Sequence, residues 1–156
     1  KKPEADRQEG LWLSLLQYGL EDKDFFAIIE KKDQWKYVAD ESVGRMFAYL
    51  SDLYREDLPE EERKGQFFDA YPEMKERFYR LTKGMDLIHA EAIVSELIDR
   101  IYSEGLRLRS QKLLHDIEHM EKSSEGDEHE NLSEKLYELN EINRRLHEVE
   151  KGTNHR

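Results

Sequence analysis

The chain has 156 residues, of which 39% are charged and 37% hydrophobic, and its net charge is −11. Three prolines and eight glycines are too few for an all-β domain, which needs turn chemistry about every 8–12 residues, so the composition points to an all-α fold. The lack of cysteine excludes disulfides and thiolate metal sites, and no run approaches the ~18 apolar residues of a membrane span. The acidic balance argues against strong direct binding to nucleic acid, which rests on several Lys or Arg contacts to phosphate. The densest basic stretch, "RLRSQK" at 107–112, is soon followed by the acids Asp116, Glu118 and Glu121. No signal peptide opens the chain. A start at "KKPEADRQEG" without methionine reads as a fragment of something longer.

The first helix is expected over "PEADRQEGLWLSLLQYG", with Pro3 at its first turn and Leu11, Trp12, Leu15, Leu16 and Tyr18 on its apolar face. Gly19 is its expected stop. "EDKDFFAIIEKKDQW" follows with an apolar cluster at Phe25, Phe26, Ile28 and Ile29, and Asp22 or Asp24 can cap it. In "DESVGRMFAYLSDLYRED", Val43, Met46, Phe47, Leu50 and Leu53 repeat at helical spacing, with Tyr54 beside them. Pro59 and Pro72 each open a further helix, the second carrying Met74, Phe78 and Leu81 and ending at Gly84. The aromatic residues of 67–79 read as core, and "EDLPEEER" at 56–63 reads as a solvated loop and helix start.

From Leu87 onward the sequence holds no proline and only Gly105 until a polar turn at "SSEGDEHEN". Ala90, Val94, Leu97, Ile101 and Leu108 run down one side, which predicts a single long helix with Gly105 as a place to bend. A last helix is expected from Leu132 to Gly152. The resulting organisation is a compact helical subdomain over 1–105, an antiparallel helical hairpin over 106–152, and a disordered tail over 153–156.

"HDIEH" at 115–119 raises the question of a zinc enzyme, since H-E-x-x-H places two ligands on one helical face. Leu106, Leu113, Ile117 and Met120 fall on one side of that helix, and His115 and His119 fall opposite, towards solvent. A catalytic zinc needs at least three protein ligands and a dry, shaped cavity, which a hairpin does not offer. Phosphate loops, dinucleotide fingerprints and the G-x-S-x-G elbow are all absent from the sequence. The paired aspartates of "DKD" at 22–24 lie where acids favour a helix N-terminus. No catalytic, metal or cofactor-binding residue is therefore assigned.

The last helix carries an apolar stripe through Leu132, Leu136, Leu139, Ile142, Leu146 and Val149, flanked by Tyr137, Asn140 and Asn143. One side of the stripe must meet the preceding helix, and a narrow two-helix arm leaves the rest for a partner. The tail "LSEKLYELNEINRRLHEVEKG" and the opening "RQEGLWLSLLQYGLEDKDFF", together with the globule-plus-hairpin layout, resemble the C-terminal region of bacterial replicative primases of the DnaG type. Glu134, Leu136, Leu139 and Asn140 carry the E-x-L-x-x-L-N flavour of that family's tail.

The resemblance implies a non-catalytic, cytoplasmic domain that docks on the N-terminal domains of the hexameric replicative helicase. The zinc-binding and polymerising domains would lie upstream. The residues expected to face the helicase or hold the hairpin are Leu132, Leu136, Tyr137, Leu139, Asn140, Ile142, Asn143 and Leu146. Two rivals are the N-terminal domain of such a helicase and a helical adaptor that pairs with its own copy. Replacing His115 and His119 together by alanine leaves partner binding unchanged in a pull-down; a loss of binding contradicts the solvated reading of that pair.

Overall fold

A proline fixes φ and lacks the N–H that a first helical turn cannot satisfy anyway, and helix α1 starts at such a residue, running Pro3–Glu21. The computed structural model describes residues 3–81, 85–122 and 128–154. Gly84, the 123–127 stretch and residues 155–156 lie outside the described residues, as does the side chain of Leu81. Gly19 does not stop α1, which continues to Glu21. A stopping glycine uses a positive φ, and no described glycine has one. Gly19 is instead a point of close approach: a Cβ there would sit 3.0 Å from Ile29 Cδ1 and 3.4 Å from both Leu50 Cδ2 and Phe26 Cδ1.

Helix α2 (Lys23–Lys31) is capped by Asp22, whose carboxylate accepts from the Asp24 N–H at 2.7 Å. The "DKD" acids thus serve a helix end. A 3-10 turn over Asp33–Tyr37 then swings Trp35 inward. Its indole N–H donates to the Ile29 carbonyl at 2.8 Å, and its ring meets Trp12 edge-on and Phe47 at a tilt. Helix α3 (Glu41–Arg55) is capped by Asp40 and buries Val43, Met46, Phe47, Leu50 and Leu53. Helices α4 (Glu60–Ala70) and α5 (Pro72–Leu81) follow, and then α6 (Ala90–Lys122) and α7 (Glu128–Asn154). Among the described residues there is no strand, so the fold is all-α.

Asp86 orders the turn that leads into α6. One carboxylate oxygen accepts from the N–H groups of Ile88 and His89, and the other meets His89 Nδ1 at 2.9 Å. The hydrogen bond from the His89 side chain holds the Asp86 carboxyl below the usual aspartate range. With a depressed folded value, these bonds are in place at neutral pH and are lost only as pH falls through that value. Helix α6 runs unbroken through Gly105. Helix α7 begins four residues before the expected Leu132, at Glu128. It also passes Gly152 and continues to Asn154, so 153–154 are helical and not a tail.

The chain divides into two compact units, Lys1–Tyr102 and Ser103–Arg156, with the division inside α6. In the first, Leu15, Leu16, Ile29, Leu50, Phe67, Val94, Ile98 and Ile101 are essentially inaccessible. Each such side chain contributes roughly 1.5–3 kcal/mol relative to exposure. Lys32 ties α2 to α6, donating to Ser95 Oγ at 2.7 Å and Asp99 at 2.9 Å.

The last carbonyls of α1 have no helical partner, and here they point into protein. Arg63 fills that gap. Only 8% exposed, it donates from Nε and Nη2 to the Leu20 carbonyl at 3.1 and 3.0 Å, and from Nη2 to the Glu21 carbonyl at 3.1 Å. Tyr54 lies under its guanidinium at 4.7 Å and donates its hydroxyl to the Gly19 carbonyl at 2.5 Å. Burial pushes the Tyr54 phenol far above the usual tyrosine range, so it stays a neutral donor. Arg63 belongs to the stretch expected to be solvated; besides Leu58, which is half-buried against the core, that expectation fails at Arg63, because a cation placed at a helix C-terminus complements both its dipole and its orphan carbonyls. Lys64 adds ion pairs to Glu21 and Glu60, each at 2.9 Å.

Arg63→Ala is expected to destabilise the first unit by about 2–3 kcal/mol, because carbonyls remain buried without donors. Gly19→Val should cost about 1–3 kcal/mol by overpacking. Gly19→Ala should stay near neutral, since a gain of about 1 kcal/mol in helix propensity offsets the tight Ile29 contact. Urea denaturation of the three variants checks this; an Arg63→Ala protein as stable as the parent would contradict the capping role.

Candidate interaction surface

Two helices side by side can bury only a narrow seam. In the second unit the buried apolar residues among those described are Leu106, Leu113 and Ile117 of α6 and Leu139 and Ile142 of α7. Lys135 of α7 reaches Asp116 of α6 at 3.3 Å, which sets the start of α7 beside the end of α6 in antiparallel order. Both partners are about one-third exposed, so the pair contributes little energy and chiefly marks register.

The residues expected to meet a partner separate into two groups. Leu139 is 9% exposed and Ile142 is 0%, so these two hold the hairpin together. Leu132 and Leu146 are half-buried. Leu136 is 42% exposed and Tyr137 77%, and Asn140 and Asn143 are exposed as well. Leu136, Asn140 and Asn143 recur at helical spacing and share one side of α7, with Tyr137 farther round. Leu114 on α6, 47% exposed, adds an apolar residue that the sequence reading passed over. The doublet Leu113–Leu114 was its only signal, because adjacent helical residues cannot both enter one narrow seam.

Over 141–148, helix α7 carries ion pairs at helical spacing. Arg144 bonds Glu141 and also Glu148, the latter at 2.7 Å, and Arg145 reaches Glu141 at 3.2 Å. The hydrogen bond from Arg144 holds the Glu141 carboxyl below the usual glutamate range. Such exposed pairs at helical spacing add only weakly to the helix.

His115 and His119 are both exposed. No group of three or more His, Cys, Asp or Glu placed to hold a metal occurs among the described residues, and no helix there is long and apolar enough to cross a membrane. In the first unit the most displaced titration belongs to Tyr54, whose hydroxyl is committed to the end of α1. Of the aromatic residues at 67–79 expected in the core, Phe67 and Phe78 are buried, but Tyr79 is 76% exposed. It stands one position past Phe78 on α5, which turns it away from the packed side, and it borders an open cavity of about 580 Å3 with Leu20, Phe68, Pro72 and Phe78.

No protein-family model, no curated protein and no solved structure matches the chain. The division of α7 into a packed and an exposed side makes its own prediction. Ile142→Ala is expected to cost about 2–4 kcal/mol as a large-to-small change in a buried site, whereas Tyr137→Ala stays within about 0.5 kcal/mol. Amide hydrogen exchange along α7 reads both; equal effects would contradict the division.

Proposed function

We propose that the chain is a non-catalytic interaction domain of a bacterial DNA primase, which docks on the N-terminal domains of the hexameric replicative helicase and so couples primer synthesis to the fork. The resemblance of the tail and of the opening helices to that primase region supports the reading. The observation that carries it furthest is a two-helix unit that keeps Leu114 and Leu136 more than two-fifths exposed and Tyr137 about three-quarters exposed while burying Leu139 and Ile142. Exposed large apolar side chains beside amides are the composition of a docking face. Tyr137 is its natural anchor, because tyrosine is enriched among the residues that dominate binding. In this reading the first unit folds independently around the end of α1, no reaction is catalysed by the chain, and its place of work is the bacterial cytoplasm.

The same division sharpens what substitution does. A charge at Leu139 would remove docking by breaking the hairpin, not by touching the partner. Tyr137→Ala together with Asn140→Ala leaves the hairpin folded and is expected to weaken binding about tenfold or more. The check is gel-filtration co-elution of the chain with a purified hexameric replicative helicase, followed by titration of the two variants. Failure of the parent chain to co-elute would overturn the helicase reading. Self-association that grows with concentration would point instead to an adaptor that pairs with its own copy.

A further inference from the structure

We draw no further inference here: the strongest candidate, the open cavity of about 580 Å3 beside Tyr79 between α1, α4 and α5, is rimmed by Lys64 and Lys75 as well as by Glu21 and Glu76, so its charge selects no ligand, and nothing in the structure shows what covers it.

Discussion

The end of α1 is the constraint around which the first unit is built. A helix that stops inside protein leaves carbonyl oxygens that water cannot reach, and each one left without a donor costs about 1–3 kcal/mol. Here the carbonyls of Gly19, Leu20 and Glu21 receive donors from Tyr54 on α3 and Arg63 on α4. Those helices are therefore held to α1 by directional bonds as well as by apolar packing. The absence of a side chain at Gly19 lets Phe26, Ile29 and Leu50 close over the same turn. The guanidinium stacked on the Tyr54 ring fills what would otherwise be a polar gap. Polar groups buried in this way are stable only when all are satisfied, which makes the cap a specification of geometry as much as a source of energy.

The second unit follows a different economy. Its buried apolar residues among those described are five, α7 carries ion pairs at helical spacing over 141–148, and Lys135 reaches across to Asp116. A structure with so thin a seam keeps apolar side chains in solvent whatever its role. Leu114 and Leu136 stay exposed beside the seam, and Tyr137 lies farther round α7.

Periodicity made most of the fold legible. The apolar repeats of α1 and α3 identified Leu11, Trp12, Leu15, Leu16, Val43, Met46, Phe47, Leu50 and Leu53, all buried, because a strong 3.6-residue pattern leaves one face to pack. Features that depend on tertiary neighbours were not legible. Arg63 sits in a run of acids and looks solvated until the end of α1 arrives beside it. Gly19 looks like a stop until α2 and α3 press against it. Tyr79 looks like core because it adjoins Phe78, yet one residue is a rotation of about 100°. In the candidate site the stripe of α7 was readable as a whole. Which of its members face inward depends on the register with α6, and Leu114 could be recognised only once that register was known.

The central claim is that α7 has a packed side that holds the hairpin and an exposed side, shared with Leu114, that meets a partner. Methyl NMR of the intact chain, recorded with and without the N-terminal domain of a hexameric replicative helicase, tests it most directly. The account predicts that the methyl signals of Leu114 and Leu136 shift or broaden on binding while those of Leu113 and Ile142 stay in place. Changes confined to Leu113 and Ile142, or spectra unaltered at saturating helicase domain, would contradict it.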